Sequence, residues 1–131
     1  MDVTDYRMAP KDLVFGIRLP AGDKAWPLDS FAGGAVINDS IGPVDVVLIG
    51  DAESRTVRAY RRDGHVFAAS ASPRVLYTAE QQVWRVSEEM LLGPNGAKLP
   101  RLPGLTAYWF AWSGYVGQRA ALYALDSVPT D

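Results

Sequence analysis

Short runs of β-forming residues recur along the chain, and turn-forming residues separate each run from the next. The first run is Leu13–Leu19, which ends at a Pro-Ala-Gly-Asp turn. A later run, Val44–Ile49, is apolar at every position except Asp45, a pattern typical of a central strand covered on both faces. Many short strands at close spacing predict a domain that is mainly β. We therefore expect a single compact domain of twisted antiparallel sheet, barrel-like or sandwich-like, with one or two short helices.

Turn residues predict which strands are joined as hairpins. Lys24–Trp26 is expected to pair back on the first strand, and the Gly-Pro-Asn-Gly cluster at 93–96 predicts a second hairpin. The dipeptide Asp63-Gly64 stands between two β-rich runs, Val57–Arg62 and His65–Ala69. Because both central positions of a type I′ turn need positive φ, Asp-Gly predicts that these two runs pair with each other.

The segment Leu105–Tyr115 fits two periods. Tyr108, Trp112 and Tyr115 follow the i, i+4, i+7 spacing of a helix, whereas the alternation from Tyr108 to Trp112 follows that of a strand. We favour a short amphipathic helix.

Length and composition fit one globular domain. The 131 residues are 48% hydrophobic and 21% charged, with no cysteine and one histidine. A chain of this length can bury about two-thirds of its unfolded surface, so it needs no disulfide. We expect one domain over residues 1–131, with 1–9 and 126–131 peripheral. Most nucleophilic, redox and transition-metal schemes lack the side chains they require, so we expect no catalytic residue, no metal site and no cofactor.

The net charge and the hydrophobic runs of the chain indicate whether it binds nucleic acid or enters a membrane. A net charge of −2 and a pI near 5.3 give no long-range attraction to nucleic acid or to anionic lipid. The first seven residues contain two acids and no apolar run, so no signal peptide is predicted. No run approaches the roughly 18 apolar residues of a membrane-spanning helix. We therefore expect no nucleic acid and no direct membrane insertion, and the sequence leaves localisation open.

Polar residues flank the predicted central strand and form the candidate ligand-binding set. Asn38 and Asp39 precede the strand, Asp51 follows it, and Trp84 supplies a large aromatic surface. Convergent polar groups beside apolar surface can hold a small molecule. The simpler interpretation is that Asn38-Asp39 caps a turn and that Asp51 lies in a solvated loop.

Arginine and aromatic side chains form the candidate partner-binding set. On a strand, Arg58, Tyr60 and Arg62 share one face, which could bind an anion or stack a base, and which we assign to partner binding. Trp109 and Trp112 belong to the aromatic-rich segment, and aromatic residues often dominate interfaces. The alternatives are a solvated strand face for the arginines and core packing for the tryptophans.

Two functions follow from these sets. The first expectation is a non-catalytic binding or assembly module that engages a protein partner or a second subunit through exposed aromatic and arginine side chains. The alternative is a small-ligand-binding or enzymatic domain with a pocket lined by carboxylates and tryptophan. A pocket requires a concave site with convergent polar groups, whereas an assembly module requires an exposed apolar patch.

Several short motifs occur in a defined order along the chain. They are Lys24-Ala25-Trp26-Pro27-Leu28, Val36-Ile37-Asn38-Asp39, Tyr60-Arg61-Arg62 with Asp63-Gly64, and Leu92-Gly93-Pro94. In this order, from about Pro10 to Tyr123, the chain resembles the bacterial and archaeal family known as domain of unknown function 3179.

The resemblance also marks two departures. Members of that family commonly have a Cys-x-x-Cys-like segment just after the Val-rich strand, and often a histidine shortly before the Asn-Asp pair. This chain has Gly50–Ser54 and Gly33–Ala35 at those places. The resemblance therefore implies a member without the thiol chemistry of its relatives, and it suggests export, for which the sequence has no signal.

Overall fold

The computed structural model describes residues 7–116 and 121–123. Within these residues there are twelve strands and one α-helix. The strands are β1 (Leu13–Leu19), β2 (Gly22–Pro27), β3 (Ala35–Ile41), β4 (Val44–Asp51), β5 (Thr56–Arg61), β6 (Phe67–Ala69), β7 (Val75–Thr78), β8 (Val83–Val86), β9 (Met90–Leu92), β10 (Lys98–Leu102), β11 (Leu105–Tyr108) and β12 (Ala121–Leu122). The helix is α1 (Trp109–Val116), and short 3₁₀ turns occupy Leu28–Phe31 and Pro94–Gly96.

Eight strands form one antiparallel sheet in the order β3-β4-β5-β10-β9-β8-β7-β6. The sheet curls until its two edge strands, β3 and β6, lie beside each other. A side chain joins these edges: Asn38 Nδ2 donates to the carbonyl oxygen of Phe67 at 2.8 Å, and the Phe67 N–H donates to Asn38 Oδ1 at 2.9 Å. The sheet is therefore a nearly closed barrel, and the Asn38 carboxamide pairs with β6 as the main chain of a neighbouring strand would.

A smaller sheet covers part of the barrel wall. Its order is β11-β1-β2-β12, and its apolar side chains, including Phe15 and Trp26, pack against the outward-facing Val46 and Leu48 of β4. The intervening Val47 faces the inside of the barrel and is also buried. The prediction that this apolar run forms a strand covered on both faces is confirmed.

Helix α1 lies on the other face of the small sheet. Trp109 and Trp112 pack there with Val14, Ala25 and Leu122. The domain thus has three layers, in the order helix, small sheet and barrel.

The turn at Asp63-Gly64 forms, but it does not make the expected hairpin. Asp63 and Gly64 have φ values of 43° and 87°, as a type I′ turn requires, and the His65 N–H donates to the carbonyl oxygen of Arg62 at 2.8 Å. However, β5 pairs with β4 and β10, and β6 pairs with β7. The hairpin prediction was wrong because both edges of β5 are already occupied, so the chain leaving the turn continues to the far edge of the sheet.

The other predictions concern the fold class, two hairpins, the aromatic segment and the chain ends. A mainly β domain built on an antiparallel, barrel-like sheet is confirmed, as are the hairpins β1–β2 and β9–β10. The segment Leu105–Tyr115 combines both of its periods, since β11 ends at Tyr108 and α1 begins at Trp109. Of the segments expected to be peripheral, residues 1–6 and 126–131 lie outside the described residues.

Candidate functional site

The inside of the barrel is lined by alternate residues of its strands. Cross-strand pairs such as Leu76 with Trp84 and Val47 with Tyr60 share the inner face, as expected because directly opposed residues of a ladder point to the same side. The buried inward-facing residues are Val47, Tyr60, Phe67, Leu76, Trp84, Leu91 and Leu99.

One end of the barrel is filled by aromatic rings. The buried indole of Trp84 has its ring centroid 4.9 Å from that of His65 and 5.3 Å from that of Phe67, the latter in an edge-to-face arrangement. The same indole lies directly over Gly93, where the Cβ of any other residue would clash with it. Trp84 is therefore a core residue at this end of the barrel.

The opposite end opens into a cavity of about 540 Å³, which we call the mouth. Along β4 and β5 the apolar Ile49 lies one inward-facing position deeper than the pair Asp51 and Thr56, so polar residues stand at the outer rim. The apolar lining residues include Val36, Ile49, Leu76 and Val86, and the polar ones include Asp51, Ser54, Thr56, Arg58, Ser70 and Ser72. Eight-stranded barrels have an interior of the right width for side chains or for one small ligand, and pockets of this volume accommodate small organic molecules.

Arg58 is the cationic side chain among the lining residues of the mouth. It lies on β5 opposite Ile49, and its Nη2 is 2.7 Å from Glu88 Oε2. The second oxygen of Glu88 is 2.9 Å from Arg101 Nη1, which also donates to the Glu88 carbonyl oxygen at 2.9 Å. One carboxylate is thus shared by two guanidinium groups, and the three groups together have a charge of +1.

Tyr60 holds the chain segment that presents Glu88. Val86, the last residue of β8, lines the mouth, so the β8–β9 connection that follows it lies at the mouth as well. The buried Tyr60 hydroxyl donates to the carbonyl oxygen of Ser87 in this connection at 2.6 Å. Burial raises the pKa of the Tyr60 phenol, and the nearby Arg58 and Arg101 oppose that shift. The phenol therefore stays protonated as a hydrogen-bond donor at neutral pH.

The predicted ligand-binding residues do not converge. Asn38 and Asp39 are consecutive on β3 and point to opposite sides of the sheet, so Asn38 closes the barrel whereas Asp39 faces outward. Asp39 Oδ2 accepts a hydrogen bond from Trp26 Nε1 at 2.9 Å and lies 3.0 Å from Lys24 Nζ. Of the four predicted residues, Asp51 alone is among those that line the mouth.

The predicted partner face of β5 faces the inside of the barrel. Arg58 and Tyr60 do share a face, but it is the inner face of the barrel, and Tyr60 is buried. Arg62 lies beyond the end of β5, and its guanidinium donates to the main-chain oxygens of Asp39 and Val46 at 2.8 to 3.1 Å. Barrel closure turns this face inward and Arg62 holds the end of β5, so Arg58 is the most exposed of the three residues, with 36% of its side chain accessible.

The two tryptophans of the predicted partner set are also buried. Trp109 and Trp112 are 1% and 2% exposed, because residues three apart on a helix share a side and this side faces the small sheet. The exposed aromatic residues of this segment are Tyr108, Phe110 and Tyr115, at 48%, 57% and 64%. The change from strand to helix at Trp109 was the signal that could have separated these two groups.

Other residues of the mouth were not predicted. The loop Ser70–Pro73 lines the mouth, and Glu88 and Arg101 lie beside its Arg58; they come from the β6–β7 loop, the β8–β9 connection and β10, which are distant in sequence. Only the strand order brings them to one end of the barrel, so no local pattern indicates them.

The described residues also bear on metal binding and membrane insertion. None of their clusters of histidine, cysteine, aspartate and glutamate is large enough to suggest a metal-ion site. None of the helices in the described part of the chain combines the length and apolar character needed to cross a membrane.

Comparison with known proteins gives a family and no relative of established activity. No curated protein and no solved structure is similar enough to this chain to count as a match. The model of the family described as "Protein of unknown function (DUF3179)" matches residues 1–119. The match spans most of the sequence, and the chain therefore belongs to this family.

Proposed function

We propose that the protein is a non-catalytic binding protein that holds one small organic molecule in the mouth of its barrel. The observation that supports this most directly is the mouth itself, a cavity of about 540 Å³ with apolar residues inside and polar residues at its rim. Pockets for small molecules have this combination of apolar lining and a few polar groups that fix orientation. The aromatic rings at the other end leave the mouth as the way into the barrel.

The polar groups of the rim favour binding over catalysis. The Ser70 hydroxyl accepts a hydrogen bond from the Ser72 N–H at 3.0 Å and lies 2.7 Å from the carbonyl oxygen of Val75, to which it can donate. The single histidine of the chain, His65, packs on Trp84 at the other end of the barrel. The serines of the mouth therefore have no imidazole to activate them as nucleophiles.

A neutral fluorescent probe, N-phenyl-1-naphthylamine, tests the proposal. Its emission rises on entering an apolar site, and we expect saturable binding of one molecule per chain. Ala69 and Ala68 provide a matched pair of variants, because Ala69 lines the mouth beside Leu76 whereas Ala68 pairs with the exposed Tyr77 on the outer face. Ala69→Phe should abolish binding, and Ala68→Phe should leave it unchanged. Equal binding by the two variants would refute the proposal.

A second function, self-association, is supported by a different observation. Tyr108 and Phe110 stack with ring centroids 6.0 Å apart and are about half exposed. They adjoin β11, which has a strand partner on one side within the described residues, and an unpaired edge can pair with a second copy. Sedimentation velocity of Phe110→Ser tests this, with Val66→Ser as a control at another exposed apolar residue. A wild-type chain that stays monomeric at high concentration excludes it.

A further inference from the structure

We infer that the molecule bound in the mouth is an organic anion, a carboxylate or sulfonate with an apolar body, and that Arg58 binds its acid group. This inference rests on the proposed function and specifies the chemical class of its ligand.

The position of Arg58 suits this role. It is opposite Ile49 on the inner face of the barrel, and both residues line the mouth. A guanidinium presents five N–H donors in a planar fork that matches the oxygens of an acid group. The described contact with Glu88 is made by Nη2, so further donors of the same group remain for a ligand.

The charges at the mouth favour an anion close to Arg58. Arg58, Arg101 and Glu88 sum to +1 because one carboxylate serves two guanidinium groups. Asp51 also lines the mouth, but it is paired with Thr56, one inward-facing position further along β4 than Ile49. An acid group bound to Arg58 would therefore not lie directly beside the Asp51 carboxylate, which stands further out, at the rim.

Arg58 can exchange its present partner for a ligand. The Arg58 and Glu88 side chains are 36% and 69% exposed, and an ion pair with this exposure contributes little to stability. If a ligand replaces Glu88 at Arg58, Glu88 keeps its contact with Arg101 at 2.9 Å. The exchange leaves no charge without a partner.

The apolar part of the mouth specifies the rest of the ligand. Val36, Ile49, Leu76 and Val86 line the same cavity as Arg58. An inorganic anion would leave this surface in contact with water, whereas a hydrocarbon or aromatic body would cover it, and removing apolar surface from water is favourable. The site therefore suits an amphipathic molecule.

The test uses two probes with the same body. 8-Anilinonaphthalene-1-sulfonate is N-phenyl-1-naphthylamine with an added sulfonate, so the difference between their affinities reports the acid group. We expect Arg58→Gln to weaken binding of the sulfonate about tenfold or more, the usual range for a hydrogen bond to a charged group, and to change binding of the neutral probe by less than twofold. Glu88→Gln should strengthen binding of the sulfonate by removing the competing carboxylate.

Arg85→Gln is the matched control. Arg85 is exposed and lies on β8 between the inward-facing Trp84 and Val86, so it points outward, and its replacement removes the same charge from the protein. We expect it to alter the affinity for either probe by less than twofold. If Arg58→Gln and Arg85→Gln have the same effect, or if Arg58→Gln weakens both probes equally, the inference is overturned.

Failure of the proposed function would look different. In that case neither probe would bind the wild-type chain, or Ala69→Phe would bind both as well as Ala68→Phe does. If both probes enter the mouth but Arg58→Gln has no selective effect on the sulfonate, the binding site stands and the inference of an anionic ligand is wrong.

Discussion

Replacement of Asn38 by alanine should open the barrel along the line between β3 and β6. The Asn38 carboxamide is a two-bond link between these edges, with hydrogen bonds of 2.8 and 2.9 Å to the carbonyl oxygen and N–H of Phe67. Phe67 is buried and packs in the interior cluster of the barrel. Alanine removes both bonds, which are partly buried, so water replaces them only in part.

The magnitude follows from these two bonds. A buried donor or acceptor left without a partner costs about 1–3 kcal/mol, and here one of each is left. Strand β6 has three residues and lies at the edge of the sheet. It can relax in the variant, and this relaxation reduces the loss of stability. We therefore expect Asn38→Ala to lower the free energy of unfolding by about 2–4 kcal/mol, an effect well above the error of denaturant unfolding.

Urea unfolding and amide hydrogen exchange together provide the assay. The Phe67 amide should exchange much faster in Asn38→Ala than in the wild type, because its acceptor is the missing side chain. Ser40→Ala is the control, since Ser40 is an exposed residue of the same strand and its described hydrogen bond is made by its main-chain N–H. A loss of less than about 0.5 kcal/mol in Asn38→Ala, the range of ordinary surface substitutions, with the Phe67 amide still protected, would refute this account of barrel closure.

Three further predictions concern the scaffold. Asp39→Ala should cost about 1–3 kcal/mol of stability in urea unfolding, because it leaves the N–H of the buried Trp26 indole without its acceptor. Gly93→Ala should displace the Trp84 ring, lower stability by about 1–3 kcal/mol and change the tryptophan emission. Burial raises the pKa of Tyr60 above 10.0, so its contribution to stability is complete below pH 10 and is lost as the pH rises through the folded-state pKa. Tyr60→Phe should therefore show a shallower loss of stability between neutral pH and pH 11 than the wild type.

The elements that depend on neighbouring residues could be predicted from the sequence. The pair β1–β2 and the pair β9–β10 are each joined by a short turn, so the turn residues and the β-rich runs on either side determine them. The central strand β4 was recognisable because both of its faces are buried, which leaves an apolar residue at nearly every position.

The pairings between distant strands could not be predicted. Besides β4, strand β5 pairs with β10, which comes about forty residues later in the chain. Strand β6 contacts β3 through the side chain of Asn38. Periodicity shows that Arg58 and Tyr60 share a face, but it does not say whether that face is inside or outside. The answer depends on barrel closure, and for this reason an arginine expected on the surface lines the mouth.

The structure of the aromatic segment Leu105–Tyr115 could not be predicted in full for a related reason. A window with period 3.6 and a window with period 2 overlap at Tyr108, because a strand passes directly into a helix there. With the whole segment treated as one element, Trp109 and Trp112 were assigned to an exposed, partner-binding side. The helix instead presents both to the small sheet, and Tyr108 and Phe110 face outward.

The motifs behind the family resemblance are used in the scaffold. Trp26 and Asp39 link the two sheets, Asn38 closes the barrel, and Arg62 holds the end of β5. Gly93 gives room to the Trp84 ring that fills one end of the barrel. Each of these residues has a partner within the domain, so the order of the motifs identifies an architecture.

The two segments in which this chain departs from the family pattern lie at the mouth and not among these scaffold contacts. Gly33–Ala35 and Gly50–Ser54 both contribute lining residues to the mouth, at the start of β3 and the end of the adjacent strand β4. The resemblance implies that relatives with a histidine and a Cys-x-x-Cys-like segment at these positions present imidazole and thiol groups at the same opening. A fold can keep its scaffold and change the chemistry of its site. We propose on this argument that the mouth is the ligand-binding end of the barrel in this chain, where Arg58 is the cationic side chain among the lining residues.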